Sequence, residues 1–284
     1  MLIQTVVVAG AGTMGRGIAQ VAATFGFNTV LFDLQPDALS NAKIAIEKNL
    51  DFLISKQKIT AEEKDQISCR LQYTHSIENC KADLIIEAIV EKLDAKIDLF
   101  EKLNAVNASQ TIFASNTSSL SIQALQEKIP HPERVAGLHF FNPAPLMKLV
   151  EIVQGKQTDT VVIETLLAFC KQLNKTAVVC LDAPGFIVNR VARHYYLEAM
   201  KLVEAGYADI HSVDAILESA GFKMGPFKLM DLIGMDINLA VTQSLYDAFE
   251  HTHRFKPAAL QQNKVAAGEL GKKTGKGFYD YSNK

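Results

Sequence analysis

The two residues best suited to acid–base chemistry are a histidine and a glutamate in neighbouring predicted strands. Glu151 interrupts residues 149–153, a run that is otherwise apolar on both faces, and a buried carboxylate is costly unless it is paired or hydrogen-bonded. His139, which follows the predicted strand at residues 135–138, is the partner that we expect. A carboxylate beside an imidazole fixes the tautomer and raises the basicity of the ring. The pair predicts a general base, as an oxidoreductase needs for the hydroxyl proton when hydride leaves a secondary alcohol.

The N-terminal segment carries a glycine spacing that suits a dinucleotide pyrophosphate. A β-branched run at residues 6–9 leads into Gly-x-Gly-x-x-Gly, and residues 16–25 then have a helical pattern. The three glycines allow, in order, a tight turn, close approach of the pyrophosphate and close packing of the helix on the sheet. The N–H groups and positive dipole end of that helix then face the phosphates. The predicted binding residues are Gly10, Ala11, Gly12, Thr13, Met14 and Gly15.

An acidic residue follows at the place where a dinucleotide site needs one. Asp33 closes a second apolar run, residues 29–32, and lies 18 residues after Gly15. Its carboxylate can accept hydrogen bonds from an adenosine ribose, and it repels a 2′-phosphate, so NAD is favoured over NADP. A glycine turn beside a surface aspartate is the simpler interpretation. The succession of strand, glycines, helix, strand and acid favours the cofactor site.

These groups must be held by a sheet. Strand-like apolar segments recur at residues 84–86, 111–114, 135–138, 149–153 and 176–179, with helical patterns such as 92–104 and 160–173 between them. This alternation predicts an α/β fold of the Rossmann type with a mostly parallel, doubly wound sheet. Such sheets bind ligands beyond the carboxyl ends of their strands. The polar segments expected there are Glu91, residues 115–119 and residues 139–143.

Residues 38–68 are unusually long for a single crossover. They predict two helices with a break near Ile59 and Thr60, where Thr60 and Glu63 form a capping box. We expect this helical pair to project from the sheet.

The pattern changes at residues 182–185. Strand patterns are absent beyond this point until the last few residues, and helices are predicted at 186–204, 210–220, 235–249 and 257–267. We therefore expect two domains, residues 1–183 and 184–284, of which the second is all-helical. Its apolar content exceeds what about 100 residues can bury in one small core, which indicates a homodimer contact through this domain.

Composition excludes several classes of protein. The net charge is −2 and the chain has no Trp and no basic block, so nucleic-acid binding is not expected. No apolar run approaches the roughly 18 residues of a membrane span. Residues 1–3 read as the beginning of a strand rather than a signal peptide, and the four cysteines form no Cys-x-x-Cys pair. We expect a cytoplasmic protein with reduced thiols and no metal site.

At these residues the chain resembles the 3-hydroxyacyl-CoA dehydrogenase family, in its short bacterial 3-hydroxybutyryl-CoA dehydrogenase form. The resemblance covers essentially the whole chain and rests on six segments: residues 9–15, 114–120, 137–143, 182–190, 224–227 and 271–279. It implies NAD as the cofactor and an acyl-CoA substrate. It also implies a role in fatty acid or butanoate metabolism, such as β-oxidation.

The resemblance implies a role for each matching position. His139 would be the catalytic base and Glu151 the carboxylate that orients it, while Ser118 and Asn189 would hold the reacting 3-oxygen and the thioester region. His139 would take the proton of the (S)-3-hydroxyl while the C3 hydride passes to NAD, and the helical domain would close over the site. The remaining cofactor contacts that it implies are Glu91, Lys96, Asn116, Ser118, Asn142 and Lys273.

The projecting helices correspond to the coenzyme A clamp of the family. Lys56 fits a phosphate-binding lysine, and Asn49 stands where some relatives have a serine. The two are seven residues apart, hence on one helix face. Lys48 and Lys58 add positive charge, although a solvated basic face explains them equally well.

Other functions remain open at this point. Ser118, His139 and Glu151 suit a thioester hydrolase, but no Gly-x-Ser-x-Gly elbow surrounds the serine. A related sugar-acid dehydrogenase would lack the long insertion. A non-catalytic dinucleotide-binding protein would not need a buried Glu151. The sequence leaves the acyl chain open, including 3-hydroxyadipyl-CoA, and also the direction of the reaction.

Overall fold

A computed structural model describes residues 2–282 of the 284-residue chain. The chain divides into two compact units, Met1–Ala183 and Pro184–Lys284. The first unit is α/β and the second is helical. No helix within the described residues is long and apolar enough to span a membrane.

A single eight-stranded sheet forms the centre of the first unit. Its strands are Thr5–Ala9 (β1), Asn28–Phe32 (β2), Leu71–Thr74 (β3), Leu84–Glu87 (β4), Ile112–Ser115 (β5), Val135–Phe140 (β6), Leu149–Gln154 (β7) and Thr176–Leu181 (β8). They lie in the order β3-β2-β1-β4-β5-β6-β7-β8. Every neighbouring pair is parallel except β6 and β7, which are antiparallel. The mostly parallel, doubly wound sheet is confirmed, and its strand order reverses between β1 and β4.

Apolar residues on both faces of the inner strands explain why they form the core. Val6, Val7 and Val8 of β1 are fully buried, as expected of a parallel strand covered by helices on both sides. The helices of this unit are Thr13–Thr24 (α1), Pro36–Ser55 (α2), Ala61–Arg70 (α3), Leu93–Val106 (α4), Ile122–Gln126 (α5) and Thr160–Gln172 (α6).

Two strand predictions were wrong at the N-terminal half. The first strand begins at Thr5, and Leu2 and Ile3 precede it, while Met1 lies outside the described residues. The edge strand β3 was missed altogether. Its sequence, Leu-Gln-Tyr-Thr, has a single buried residue, Leu71, so it lacks the apolar run that marks the inner strands.

The helical pair after β2 matches the prediction in its break and its cap. The hydroxyl of Thr60 accepts a hydrogen bond from the backbone N–H of Glu63, and the Glu63 carboxylate accepts from the N–H of Thr60. This confirms the capping box. One stripe of α2 is buried and the helix packs against α1, so the pair is anchored on its inner face; the buried residues are Leu39, Ala42, Ile46 and Leu50.

The second unit has five α-helices within the described residues. They are Val188–Glu204 (α7), Ile210–Ser219 (α8), Pro226–Ile233 (α9), Met235–Ala248 (α10) and Ala259–Ala266 (α11). Helix α9 was not predicted, because Gly225 and Pro226 at its start look like a turn. Its buried Asp231 accepts hydrogen bonds from the N–H groups of Phe278 and Tyr279. Residues 278 and 279 are thereby attached to this helix.

Candidate active site

His139 and Glu151 face each other across the antiparallel pair. They are direct partners in the register of β6 and β7, and His139 Nδ1 lies 2.8 Å from Glu151 Oε2. The side chain of Glu151 is 1% exposed and that of His139 is 8% exposed. His139 lies within β6, one residue before its end, rather than after the strand as the sequence suggested. The hydrogen bond engages Nδ1 and directs the other ring nitrogen, Nε2, away from Glu151.

The strand register explains how this pair forms. Residues directly opposite each other in an antiparallel pair have their Cβ atoms about 5 Å apart. Val150 and Ile152, on either side of the glutamate, are fully buried, so the carboxylate cannot turn to solvent without disrupting the strand. The imidazole therefore supplies the hydrogen bond that a buried carboxylate needs.

The glycine turn after β1 has the geometry of a cofactor cradle. Gly10 has a φ of +110°, and a Cβ there would lie 2.6 Å from the carbonyl oxygen of Ala88. A Cβ at Gly15 would lie 1.7 Å from the carbonyl oxygen of Gly10. A Cβ at Gly12, by contrast, would meet no atom within 4 Å. The first and last glycines are thus required by the fold, whereas the middle one leaves open space over the start of α1, where a pyrophosphate fits.

Asp33 holds this turn as well as facing its cavity. Its Oδ2 accepts a hydrogen bond of 2.7 Å from the N–H of Ala11, and its Oδ1 accepts one of 2.9 Å from the N–H of Gln35. The adjoining cavity has a volume of about 440 Å³. Its lining residues are Gly10, Gly12, Asp33, Ala88, Ile89 and Val90. Gly10, Gly12 and Asp33, three of the predicted cofactor residues, therefore share one cavity at the sheet position where the strand order reverses.

Glu91 attaches the loop after β4 to the serine-rich loop after β5. Its Oε1 accepts hydrogen bonds from Thr117 Oγ1 at 2.5 Å, from the N–H of Ser118 at 3.0 Å and from Ser119 Oγ at 3.2 Å. Burial by itself would raise the pKa of Glu91, but the ammonium of Lys96 and the hydrogen bonds from Thr117 and Ser118 outweigh it and hold the pKa below its ordinary value. Glu91 is thus an ionised acceptor that fixes the backbone at Ser118.

Lys96, which the resemblance makes a cofactor contact, has a buried side chain, and its contact with the cofactor stays a prediction. Its side chain is 1% exposed, and its ammonium lies 2.6 Å from Glu87 Oε1 and 3.1 Å from Glu91 Oε2. Glu87, at the end of β4, is fully buried and was not singled out from the sequence. The sequence contains a signal that could have identified it. Glu87 is a charged residue in an otherwise apolar strand, as Glu151 is.

Two asparagines belong to the loops around the pair. Asn116 Oδ1 accepts a hydrogen bond of 2.8 Å from the N–H of Phe140, which ties the loop after β5 to the end of β6. Asn142 is exposed in the loop that follows β6. Lys175 Nζ donates to the carbonyl oxygens of Ala144 and Met147 and so fixes the rest of that loop. Their cofactor contacts stay predictions.

The residues of the expected clamp lie on and just beyond α2. Asn49 Nδ2 donates to Gln20 Oε1 on α1 at 2.9 Å, so its amide helps to attach the helical pair. Lys56 lies one residue past the end of α2, and its ammonium is 5.6 Å from the centre of the Phe52 ring. Lys56 is exposed. Whether they contact coenzyme A stays a prediction.

Two further predicted residues belong to the second unit. Asn189 lies in the first turn of α7, after Gly185 and Phe186, which both have positive φ. Lys273 pairs with Asp236, with Nζ 2.5 Å from Oδ1. Burial favours a raised pKa for Asp236, but the hydrogen bonds from Lys273 and from the backbone N–H of Ile237, together with the charge of Lys273, outweigh burial, and the pKa is lowered. The described residues contain no group of three or more His, Cys, Asp or Glu side chains that could hold a metal.

Comparison with known families agrees with this geometry. Residues 5–183 match the family described as 3-hydroxyacyl-CoA dehydrogenase, NAD binding domain. Residues 185–281 match the family described as 3-hydroxyacyl-CoA dehydrogenase, C-terminal domain. The chain belongs to the 3-hydroxyacyl-CoA dehydrogenase family. Membership identifies it as an NAD-dependent oxidoreductase, and the Rossmann-type fold and the choice of cofactor are confirmed.

Relatives within the 3-hydroxyacyl-CoA dehydrogenase family carry more than one substrate name. The chain is 48% identical over 281 residues to a 3-hydroxyadipyl-CoA dehydrogenase of Escherichia coli. The matched region covers 98% of this chain but only 59% of that relative. It is 42% identical to the mitochondrial hydroxyacyl-coenzyme A dehydrogenase of Mus musculus, over 99% of this chain and 92% of the relative. The crystal structure of an (S)-3-hydroxybutyryl-CoA dehydrogenase from Ralstonia eutropha superposes with a TM-score of 0.94, at 38% identity and over 99% and 100% of the two chains.

Proposed function

We propose that this protein catalyses the reversible, NAD-dependent oxidation of (S)-3-hydroxyacyl-CoA, with 3-hydroxybutyryl-CoA as its substrate. The observation that carries the proposal is the 2.8 Å hydrogen bond between buried Glu151 and His139, on the neighbouring strands β6 and β7 of a dinucleotide-binding sheet. A family name alone would not assign the base. A histidine paired with a buried carboxylate is the arrangement that general base catalysis requires.

The pairing determines which nitrogen exchanges the proton. Because Nδ1 is hydrogen-bonded to Glu151, Nε2 is the nitrogen that takes the proton from the 3-hydroxyl. Glu151 stabilises the imidazolium that forms, as a buried carboxylate does in other histidine pairs. Bound NAD supplies the acceptor for the C3 hydride, which leaves a 3-ketoacyl-CoA and NADH as products. In the reverse direction the imidazolium of His139 returns its proton to the 3-oxygen.

The remaining contacts of the proposal come from several elements of the chain. Ser118, held by Glu91 through its backbone N–H, hydrogen-bonds the 3-oxygen, and Asn189 contacts the thioester region. Asn116 and Asn142 lie on the loops that follow β5 and β6, which suits contacts with the nicotinamide half of the cofactor. Lys273 is a further proposed cofactor contact, and Lys56 and Asn49 are proposed contacts of coenzyme A. We expect a cytoplasmic homodimer.

A chain-length series tests the substrate. NADH oxidation is followed through the absorbance of the reduced nicotinamide with acetoacetyl-CoA, longer 3-ketoacyl-CoA esters and 3-ketoadipyl-CoA. We expect the highest kcat/KM for acetoacetyl-CoA. A preference for 3-ketoadipyl-CoA would replace the substrate with that of the Escherichia coli relative. Release of free thiol without oxidation of NADH would instead indicate a thioester hydrolase.

A substitution at the base tests the mechanism. The His139→Gln variant keeps a side chain that can hydrogen-bond Glu151 but cannot accept the hydroxyl proton. General base catalysis is worth about 10²–10⁴-fold, so kcat should fall by at least about 100-fold while NADH still binds. Turnover close to that of the unmodified protein would contradict the assignment of His139.

A further inference from the structure

A buried arginine in the second unit has no carboxylate partner. Arg193, on α7, is 3% exposed, and no aspartate or glutamate in the described part of the chain forms an ion pair with it. Its guanidinium carbon lies 5.0 Å from the centre of the Tyr196 ring. Burial lowers the pKa of Arg193 to about 10, so the side chain is still a cation at neutral pH. A buried cation without a counter-ion is unfavourable for folding, so its presence needs another explanation.

Neutral oxygens of α10 bind this guanidinium. Nη1 of Arg193 donates to the backbone oxygen of Asn238 at 2.8 Å, to Asn238 Oδ1 at 3.2 Å and to Thr242 Oγ1 at 2.8 Å. Gln261 on α11 donates to the same two side chains, with Nε2 2.6 Å from Asn238 Oδ1 and 3.1 Å from Thr242 Oγ1. These three partners are each at most 1% exposed. We call them, together with Arg193, the arginine–amide network, and it joins α7, α10 and α11.

The other members of the arginine–amide network keep their hydrogen bonds when the arginine is removed. The backbone oxygen of Asn238 also accepts a hydrogen bond of 2.9 Å from Thr242 Oγ1. Asn238 Oδ1 and Thr242 Oγ1 both accept from Gln261. Loss of the guanidinium therefore leaves none of these three oxygens without a donor. Because apolar replacements of buried ions are often tolerated or stabilising, we infer that folding of this unit does not depend on the charge.

Arg193 lies one helical turn after Asn189. The two residues are four apart on α7, so their side chains lie on the same face of the helix. The hydrogen bond from Arg193 to the main chain of Asn238 fixes this part of α7 against α10, because hydrogen bonds are directional, whereas helices packed through apolar side chains can slide slightly past each other. The turn before α7 also rests on α10, since a Cβ at Gly185 would lie 2.6 Å from Leu245 Cδ2. Helix α10 is thus the support for the beginning of α7.

We propose that Arg193 is a positioning residue that fixes the first turns of α7 against α10 and thereby holds Asn189 where it contacts the thioester region of the substrate. This inference rests on the proposed function for the contact made by Asn189. Without the guanidinium, α7 still packs on α10, but its first turns are no longer held at one height and rotation. Misplacement of about 1 Å in such a site costs up to about 100-fold in catalysis.

An apolar substitution separates positioning from stability. Arg193→Met removes the cation and its hydrogen bonds but keeps a long unbranched side chain. We expect a Tm close to that of the unmodified protein and a kcat/KM for acetoacetyl-CoA reduced about 10- to 100-fold. The affinity for NADH should stay within about twofold, because the glycine turn and Asp33 belong to the first unit. An unchanged kcat/KM would overturn the proposal.

The matched control is a charged residue on the outside of the same helix. Lys201 on α7 forms an exposed pair with Glu198 at 3.5 Å. Lys201→Met also replaces a cation by an apolar side chain, and it should match the unmodified protein in Tm and in kcat/KM. A loss of kcat/KM in this control equal to that in Arg193→Met would overturn the proposal, since the effect would then not depend on the buried network.

A double-mutant cycle tests whether Arg193 acts through Asn189. Asn189→Ala and Arg193→Met are measured separately and together. If the arginine works by holding the asparagine, then Arg193→Met should reduce kcat/KM by less than about threefold once Asn189 is alanine. A general structural effect would instead reduce kcat/KM by the same factor in both backgrounds. Equal factors would therefore overturn the proposal.

A milder substitution keeps the test decisive if Arg193→Met does not fold. Arg193→Lys keeps the charge but replaces the planar fork of donors by a single ammonium. We expect a smaller loss of kcat/KM, of at least about threefold, and activity equal to that of the unmodified protein would overturn the positioning role.

Hydrogen exchange measures the position of α7 without a substrate. Backbone amides of residues 188–193 should exchange faster in Arg193→Lys than in the unmodified protein, while those of α8 should exchange at the same rate in both. Equal exchange over residues 188–193 would overturn the inference. If the unmodified protein reduces none of the 3-ketoacyl-CoA esters, the proposed function fails, and these exchange rates still decide whether Arg193 fixes α7.

Discussion

Replacing Glu151 by glutamine should remove most of the catalytic rate while leaving the site intact. The amide has the shape of the carboxylate, and its oxygen can still accept the hydrogen bond from His139 Nδ1, which is now 2.8 Å long. The substitution therefore removes only the negative charge. Because Glu151 is 1% exposed, water cannot replace that charge when the imidazolium forms.

The size of the effect follows from the geometry. Two unit charges about 4 Å apart interact by about 4 kcal/mol at the effective dielectric constant of partly buried sites. A neutral hydrogen bond retains about 1 kcal/mol of the interaction. The net loss of about 3 kcal/mol falls on the step in which His139 becomes charged, which corresponds to roughly a 100-fold decrease in kcat.

The assay is the steady-state oxidation of 3-hydroxybutyryl-CoA by NAD, the direction in which His139 gains its charge, with kcat and both KM values measured. The KM for NAD should stay within about twofold, because the charge acts on the proton-transfer step rather than on uniform binding. The matched control is Glu101→Gln, since Glu101 is an exposed glutamate on α4. A decrease in kcat of less than about threefold would refute the role given to the buried charge, and a large loss of Tm would show that the variant reports on folding instead.

Three further predictions concern the cofactor and the C-terminal segment. Gly12→Ala should keep the Tm of the protein but weaken NADH binding by about tenfold, because the new Cβ would meet only the open space where the pyrophosphate fits. Gly15→Ala, whose Cβ would lie 1.7 Å from a backbone oxygen, should lower Tm or prevent folding. Equal effects of the two variants would contradict the assignment of Gly12 to cofactor binding. Asp33→Asn should raise NADPH activity relative to NADH activity, since the repulsion of a 2′-phosphate is lost. If the ratio of kcat/KM with NADPH to kcat/KM with NADH equals that of the unmodified protein, the charge of Asp33 does not select the cofactor. Hydrogen bonds from Lys264 and Lys276 lower the pKa of Glu269 to about 2, so the contribution of Glu269 to stability is complete above pH 4.5 and is lost as the pH falls toward 2. Over that pH range the Tm of Glu269→Gln should fall less steeply than the Tm of the unmodified protein. Parallel plots of Tm against pH for the two proteins would contradict the stabilising role of Glu269.

The fold and the cofactor-binding glycine turn could be predicted because they follow from local sequence patterns. The strand, the glycine spacing and the acid at Asp33 are all read within 28 residues, Val6 to Asp33, and each glycine has a separate steric reason that the structure bears out. The His139 and Glu151 pair could be predicted because a charged residue inside an apolar strand needs a partner and the adjacent strand offered one. The same reasoning did not reach Glu87, because its charged partner, Lys96, is on a helix rather than on the neighbouring strand.

Other features that the sequence did not predict also depend on contacts between separate elements. Strand β3 is an edge strand with little burial, so its stability comes from pairing with β2 rather than from an apolar run. Asp33 was expected to face only the ribose, but it also accepts a hydrogen bond from Ala11. That contact depends on β1 and β2 lying side by side, which no spacing in the sequence reveals.

The two glutamates buried in the sheet differ in what their partners can do. Glu87 and Glu151 each occupy an otherwise apolar strand, and each is at most 1% exposed. Glu87 pairs with the buried ammonium of Lys96, and that pair holds the loop after β4 in place. Glu151 pairs with His139, and a histidine is the side chain most often used as a general base, so that pair can carry chemistry. Charge removal at Glu87 should therefore act mainly through KM and NADH affinity, and charge removal at Glu151 mainly through kcat.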